Sequence, residues 1–304
     1  MFILGFFASR IKSDVRIPDS AYQFISIFLL FGIGLKGGHA LKDVALSDIL
    51  APSLATLLLG STIPVIAFFS LRLVKKLNEI DRGAISAHYG STSLVTFTAA
   101  LLFLENSHIQ VEGYATALLT IMEIPGIVVG IYLGSRHRSK RLAWSATLRE
   151  VLSGKTVLLL VGGLGIGALT TQAGYEKAAP FFIELQNGFL ALFLLHLGYL
   201  AGSNWHEIKH VGFQMAIFAI LFPIFAGTLG ILVGNLVGLS LGGTVILGVL
   251  CASASYIAAP AAVWVALPES KASLALVSSI GVTFPFNLIV GLPLYLEIAR
   301  LVHG

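Results

Sequence analysis

The chain has 304 residues, of which 56% are apolar and 11% charged, with a mean hydropathy of +0.90 and a formal net charge of +4. This composition excludes an ordinary soluble domain, because a water-facing surface needs more polar residues. The single cysteine, Cys251, excludes an internal disulfide and a cysteine-built metal site, and the small positive charge gives no reason to expect a nucleic-acid partner.

Apolar runs of about 20 residues alternate with short charged clusters, which predicts an all-α polytopic membrane protein. An outer-membrane barrel is not expected, because its strands would alternate apolar and polar residues. We predict nine spans, at residues 21–37, 47–71, 83–104, 113–134, 154–172, 180–201, 212–238, 243–267 and 272–298.

The first residues, MFILGFFASRI (1–11), are apolar but too few to cross about 30 Å of hydrocarbon. They also lack the basic start and the small-residue cleavage site of a signal peptide. We therefore expect ten spans, of which the first is truncated. Either translation starts further upstream, or the chain has been shortened.

The lysines and arginines predict the orientation. If the chain has ten spans, most lysines and arginines fall in loops on one side of the membrane. The longest of these loops is SRHRSKRLAWSATLRE (135–150). The positive-inside rule places that side in the cytoplasm. We therefore expect a multi-pass protein of the plasma (inner) membrane with both termini periplasmic or extracellular.

The two sides of the long loop resemble each other at an offset of 165 residues. Residues 28–30 match residues 193–195, and Gly83 matches Gly248. Inverted repeats of this kind are typical of secondary transporters. We predict a first five-helix repeat at 1–134, a cytoplasmic basic linker at 135–153 and a second, inverted five-helix repeat at 154–304.

Two apolar spans carry small and polar residues at their middle, in GAISAHYGSTSLVTF (83–97) and GVLCASASYIAAPAA (248–262). The pattern predicts helix breaks, which hydrocarbon tolerates only where protein or a water-filled cavity supplies hydrogen bonds. Free N–H groups at a break attract an anion, and free carbonyls attract a cation. Close packing by small residues is the alternative interpretation.

Glu123 lies at the middle of a span, where a carboxylate is costly and therefore indicates function. Pro125 matches Pro285 in the repeat, so the corresponding region is FPFN, residues 284–287. The oxygens of Glu123 and Asn287 could ligate a hard cation such as sodium. A hydrogen-bonded structural role is the alternative for both.

His88 and His196 are also mid-span and could carry protons, although such histidines are more often satisfied core residues. The glycines of GGLGIG (162–167) indicate helix packing rather than a dinucleotide site, because no strand precedes them. No lysine or arginine lies at the centre of a span. This favours a small monovalent anion, bound beside a cation, as the ligand.

Five long motifs occur in order through nearly the whole chain. They are IPDSAYQFISIFLLFGIGLKGG (17–38), YGSTSLVTFTAALLFLE (89–105), MEIPGIVVGIYL (122–133), ASASYIAAPAA (252–262) and GVTFPFNLIVGLPLY (281–295). These motifs resemble the SbtA-type sodium-dependent bicarbonate transporter family. His196 departs from the family, which often carries an acidic residue near this position, and this puts the substrate and the cation coupling in question.

The resemblance implies a core domain with two crossing discontinuous helices beside a scaffold domain, in a homotrimer. It implies bicarbonate between the breaks with Na+ as the coupling ion alongside, and the cytoplasmic loops could host the PII-like regulatory protein that docks on cyanobacterial members. The implied substrate-binding positions are Gly90, Ser91, Thr92, Ser93, Ser253, Ala254, Ser255, Phe284 and Phe286. The implied sodium ligands are Glu123, Asn287, Ser91 and Ser255.

The leading hypothesis is therefore a secondary transporter for sodium-coupled uptake of bicarbonate by alternating access, with an elevator-like movement of the core. A sodium/proton antiporter or a sodium-coupled organic-acid carrier on a similar fold is the first alternative. A membrane receptor or structural subunit without transport is the second. We do not expect an enzyme, because the sequence has no Gly-x-Ser-x-Gly, no His-Glu-x-x-His and no paired mid-span aspartates.

Overall fold

A computed structural model describes residues 1–136, 144–203 and 212–304. Within these ranges every regular element is a helix, which confirms the all-α prediction. The helices of the first half are α1 (Phe2–Arg10), α2 (Asp19–Ala40), α3 (Leu46–Ser70), α4 (Glu79–Gly90), α5 (Leu94–Asn106) and α6 (Ala115–Ser135).

The second half contains shorter helices and one long composite helix. Its first seven helices are α7 (Trp144–Ser153), α8 (Lys155–Leu169), α9 (Gln172–Phe182), α10 (Gln186–Ser203), α11 (Phe213–Leu236), α12 (Leu241–Ala252) and α13 (Ala258–Ala266). The last helix, α14, joins the segments Ala272–Ser278, Ser279–Thr283, Phe284–Phe286, Asn287–Gly291 and Leu292–His303, of which the second and fourth are π-helical.

In the described part of the chain, seven helical stretches are long and apolar enough to cross a membrane, and the pair α7–α8, bent by 52°, would make an eighth. This confirms a multi-pass membrane protein. Seven of the nine predicted full-length spans correspond to these stretches, one of which, Glu79–Asn106, includes both α4 and α5. The other two predicted spans are not among the seven. The predicted span 154–172 contains a helix of only 15 residues, and 243–267 is divided between α12 and α13.

Glycines bring α2 and α8 into close contact. A Cβ atom on Gly38 would lie 2.0 Å from the carbonyl oxygen of Leu164, and one on Gly167 would lie 2.2 Å from that of Leu35. A side chain at either position would overlap the backbone of the facing helix, so only glycine permits this packing. Helices α1 and α10 pack in the same way.

The packing interpretation of GGLGIG holds for two of its glycines. Gly163 and Gly167 abut α2, whereas a Cβ on Gly162 or Gly165 would meet no atom within 4 Å. The short α1 packs closely on α10. A Cβ atom on Gly198 of α10 would lie 2.0 Å from the carbonyl oxygen of Phe2, so only glycine allows this approach.

The two broken helices lie among the other long helices. Helix α4 packs against α3 and α6, and α12 packs against α11 and α14. Their breaks do not follow the offset of 165 residues, because α4 ends at Gly90 and α12 at Ala252, which are 162 residues apart. The offset of 165 pairs Ala252 with Ala87, inside α4. That register was wrong for this pair of helices, since Gly and Ala are frequent enough in both to match by chance.

Two carboxylates connect the halves of the chain at opposite faces of the helix assembly. At one face, Asp81 of α4 is 1% exposed and accepts the backbone N–H of Lys271, just before α14, at 2.8 Å. At the other face, Glu112, before α6, accepts the backbone N–H of Ser240, at the start of α12, at 2.6 Å. We call the face with Asp81 the basic face, because residues 72–76 and Lys271 lie there.

The described part of the predicted basic linker, residues 135–153, contains a helix. Its last ten residues form α7, which buries Thr147 and Val151 and packs on α13. Residues 137–143 lie outside the described residues. The described part of the linker therefore belongs to the helix assembly.

We expect Gly167→Ala to lower the midpoint of thermal unfolding of the purified protein in detergent, because its methyl group would overlap the Leu35 carbonyl and separate α2 from α8. Overpacking of this kind costs about 1–3 kcal/mol. Gly165→Ala is the matched control, since its methyl group would meet no atom within 4 Å. Equal midpoints for the two variants would contradict the packing argument.

Candidate functional site

The first break separates α4 from α5. Ser91 (φ −98°, ψ 173°) and Ser93 (φ −112°, ψ 111°) have extended backbones, so the chain leaves one helix at Gly90 and starts the next at Leu94. The Ser93 hydroxyl accepts the N–H of Thr96 at 3.2 Å. Ser93 therefore caps α5 and satisfies one of the free N–H groups at its start.

The second break separates α12 from α13 and has a similar construction. Ser253 is extended (φ −84°, ψ 168°), and its hydroxyl donates to the carbonyl of Leu250 at 2.9 Å. The Ser255 hydroxyl accepts the N–H of Ala259, in the first turn of α13, at 3.2 Å. At both breaks, serine hydroxyls replace part of the hydrogen bonding that the interrupted helix lacks.

Three hydrogen bonds join the two breaks. The N–H of Ser93 donates to the Ser253 hydroxyl at 3.0 Å, and the Ser93 hydroxyl donates to that of Tyr256 at 3.1 Å. The N–H of Ser255 donates to the carbonyl of His88, in the last turn of α4, at 2.8 Å. Residues that are about 160 positions apart in the sequence thus form one buried polar cluster.

Glu123 of α6 adds a carboxylate to the first break. Its side chain is 2% exposed and accepts the hydroxyl of Thr92 at 2.5 Å. The Ser91 hydroxyl lies beside the same carboxylate, but among the described residues it has no hydrogen bond of normal geometry. A buried carboxylate with a single donor is costly unless a proton or a cation shares its charge.

The close approach of α6 to this break depends on glycine. A Cβ atom on Gly126 would lie 1.9 Å from the carbonyl oxygen of Gly90. Because Gly126 follows Glu123 by three residues, the contact holds the turn that carries the carboxylate against the break. Gly130 continues it, since a Cβ there would lie 2.3 Å from the nitrogen of Ala87.

Asn287 contacts the second break, whereas the hydroxyl that donates to Glu123 belongs to the first. Its amide nitrogen donates to the carbonyl of Ala252, the last residue of α12, at 2.9 Å, and its amide oxygen accepts the hydroxyl of Tyr295 at 3.0 Å. Asn287 begins the second π-helical segment of α14 and is fully buried. Of the four predicted sodium ligands, Glu123 and Ser91 therefore belong to the first break, and Asn287 and Ser255 to the second.

The predicted aromatic positions differ from each other in burial. The ring of Phe284 is 2% exposed and lies 5.6 Å from the ring of Tyr256 and 5.4 Å from that of Phe2. Phe284 thus connects α1 and α14 with the second break. Phe286 is only partly buried. The other predicted substrate positions, Gly90, Ser91, Thr92, Ser93, Ser253, Ala254 and Ser255, are buried.

Several residues around the breaks did not emerge from the sequence. The hydroxyls of Tyr89 and Thr283 lie 2.7 Å apart, and Thr283 donates to the carbonyl of Ala219 at 2.7 Å, so this chain of contacts ties α4 to α14 and α11. The sequence signal that could have identified Thr283 is its position directly before FPFN. The ring of His88 is fully buried, and within the described ranges neither ring nitrogen has a hydrogen bond of normal geometry.

A cavity of about 650 Å³ extends from the basic face to the second break. The ring of His196 lies on its wall and stacks on Tyr22 at 4.4 Å between centroids. Because Tyr256 belongs to the polar cluster, the cavity reaches the cluster from the basic face. Its other lining residues include Asp19, Glu150 and Lys155 near the basic face and Tyr256, Ile257 and Ala258 at the break.

The comparisons with known proteins agree with the sequence motifs. A family model described as the Na+-dependent bicarbonate transporter superfamily matches residues 1–300. The comparison with individual curated proteins gives no match. The matched range includes both breaks, Glu123 and Asn287.

We expect Ser93→Ala to destabilise the protein by about 1–3 kcal/mol, because it removes the cap of α5 and the hydroxyl contact with Tyr256. Ser61→Ala is the control, since the exposed Ser61 hydroxyl donates only to the carbonyl of Leu57 in its own helix. Thermal unfolding of both purified variants measures the difference. A Ser93→Ala midpoint as high as that of the control would show that the cluster is not needed for stability.

Proposed function

The chain belongs to the Na+-dependent bicarbonate transporter superfamily, and on this basis we propose that it couples bicarbonate uptake to sodium entry at the two helix breaks. The observation that carries the proposal is the direct contact between the breaks, Ser93 with Ser253, beside the buried carboxylate of Glu123. Membership of a transporter family also speaks against an enzyme.

The anion site is proposed at the starts of α5 and α13. Both helices begin at a break, where the positive end of a helix and its free N–H groups favour a single negative charge without a lysine or arginine. The serine and threonine hydroxyls can both donate to bicarbonate and accept from it. The proposed contacts are Gly90, Ser91, Thr92, Ser93, Ser253, Ala254, Ser255 and Phe284, with Phe286 less well supported because it is only partly buried.

The sodium site is proposed around Glu123, Asn287, Ser91 and Ser255. Sodium is a hard cation that prefers oxygen ligands, and all four side chains offer one. The carboxylate of Glu123 accepts a hydrogen bond from the hydroxyl of Thr92. The neighbouring hydroxyl of Ser91 has no hydrogen bond of normal geometry in the described structure. A sodium ion here would offset the charge of the carboxylate and that of a nearby bicarbonate.

Alternating access is supported by the way the helices group. Helices α1 with α10 and α2 with α8 form close pairs, and the breaks lie among α3, α6, α11 and α14. We propose that the first group is a scaffold and that the second is a core that moves in an elevator-like manner. The cavity of about 650 Å³ would then be the inward route.

The inverted-repeat organisation is proposed on the evidence of the two broken helices. Their first halves, α4 and α12, each have 12 residues and each end at an extended serine. We assign the repeats to residues 1–134 and 154–304, joined by the linker 135–153. Ten spans then include the short α1.

The proposed location is the plasma (inner) membrane, with the basic face in the cytoplasm and both termini outside. A homotrimer, and a PII-like regulatory protein on the cytoplasmic face, are proposed from the sequence resemblance alone.

Uptake of labelled bicarbonate into proteoliposomes tests the function. We expect uptake to require an inward sodium gradient and to be at least roughly tenfold lower in Glu123→Gln, because the neutral amide cannot balance a cation. Glu184→Gln is the matched control, since Glu184 is exposed.

Several results would contradict the proposal in different ways. Uptake without sodium, or none in the wild type, would remove the function. Normal sodium-driven uptake by Glu123→Gln would remove the sodium site and leave the function. Sodium-driven proton exchange, or uptake of an organic acid in place of bicarbonate, would favour the alternative carriers, and a protein that moves no solute would favour a receptor.

Cysteine labelling tests the orientation. In a Cys251→Ala background, we expect an impermeant maleimide to label Asp43→Cys in intact cells, and to label Asp14→Cys only after permeabilisation. The two positions flank α2, so their accessibility must be opposite if α2 crosses the membrane. The reverse pattern would place the basic face outside.

A further inference from the structure

An apolar groove of about 410 Å³ lies between α3 and α11 near the basic face. It adjoins a second cavity of about 740 Å³, and the two share Val74 and Gln214 in their walls. Gln214 is held in place because its side-chain oxygen accepts the backbone N–H of Lys75 at 2.8 Å. The shared residues place the two cavities side by side, and we call the pair the α3–α11 groove.

The mouth of the α3–α11 groove is cationic. Lys75, Lys76 and Lys271 line it. The Lys271 ammonium lies 3.5 Å from the carboxylate of Asp81 and donates to the carbonyl of Lys76 at 3.3 Å, so part of its charge is already compensated. The side chains of Lys75 and Lys76 are exposed, and they leave the mouth with excess positive charge.

The rest of the α3–α11 groove is apolar and open. Leu73 is 80% exposed, Leu221 59% and Phe225 52%, and all three line the groove. A cationic mouth at the edge of the membrane above an apolar channel matches the two ends of an anionic phospholipid. We propose that the groove binds one anionic phospholipid of the inner leaflet, with its phosphate at Lys75 and Lys76 and an acyl chain along Leu73 and Leu221.

The α3–α11 groove is adjacent to the first break. Its wall includes Phe218 and Phe222, whose rings lie 5.1 Å and 6.0 Å from the ring of Tyr89. Tyr89 precedes Gly90, the last residue of α4, and contacts the hydroxyl of Thr283. A lipid chain in the groove therefore packs against the side chains that support the break, and its binding stabilises the site.

Lipid binding in the α3–α11 groove is independent of which ion the protein transports. Only the assignment to the inner leaflet depends on the proposed orientation.

Native mass spectrometry of the purified full chain, titrated with phosphatidylglycerol or phosphatidylcholine, tests the binding. We expect one phosphatidylglycerol molecule bound more tightly than any phosphatidylcholine. The double variant Lys75→Gln/Lys76→Gln should bind it roughly 30-fold more weakly, through the loss of two cationic contacts. Leu221→Trp should also block it, because the larger side chain fills the groove.

Matched controls separate these effects from misfolding. Leu232→Trp changes an exposed leucine of the same helix outside the α3–α11 groove, and Lys177→Gln removes an exposed lysine from another part of the chain. Both should bind phosphatidylglycerol like the wild type. Glycerol 3-phosphate should not displace the lipid, because it lacks the acyl chain.

Four results would overturn the proposal. They are equal binding of the two lipids, binding unaffected by both groove variants, displacement by glycerol 3-phosphate, and a change of oligomeric state in Leu221→Trp without any loss of bound lipid. The last result would mean that a second copy of the chain covers the groove.

Transport provides a second measurement. Vesicles that contain phosphatidylglycerol should support roughly fivefold faster uptake than neutral vesicles for the wild type and Leu232→Trp, and this difference should vanish for Leu221→Trp. Equal stimulation of the Leu232→Trp and Leu221→Trp variants would contradict the link to the first break. If no vesicle shows uptake, the proposed function fails, while the mass measurement still decides the lipid site.

Discussion

A helix that breaks inside a membrane must find other partners for its free backbone groups, and here each break supplies partners for the other. The N–H of Ser93 donates to the hydroxyl of Ser253, and the N–H of Ser255 donates to the carbonyl of His88. Neither interruption would be tolerated alone in hydrocarbon. The same residues that satisfy the backbone bring hydroxyls and a carboxylate together, so the requirement for stability and the proposed ion site have one origin.

Close backbone contacts help to hold the polar cluster in position. The approach of α6 at Gly126 leaves no room for a Cβ atom, and Gly90 lies against a proline of α3. Helices this close to each other can shift only slightly without overlap. Glu123 and the first break are therefore expected to move together, which is compatible with a core that travels as a unit.

The sequence revealed those parts of the site whose residue type conflicts with its surroundings. Serines at the middle of apolar spans and the charge of Glu123 stand out against leucine and valine. Tyr89 and Thr283, which support the breaks, do not stand out in the sequence, because they come into contact only through tertiary packing. The register of the repeat failed for a related reason, since small residues match at several offsets. The predicted spans 154–172 and 243–267 are not single membrane-length helices in the structure, because hydropathy does not show where a helix ends.

The two carboxylate contacts at opposite faces have a consequence for biosynthesis. Asp81 and Glu112 are made early, yet each receives a backbone donor from Lys271 or Ser240, far later in the chain. Until Lys271 and Ser240 emerge from the ribosome, both carboxylates lack a backbone N–H donor that they have in the complete protein. These two contacts between the halves can therefore close only after most of the polypeptide has been synthesised.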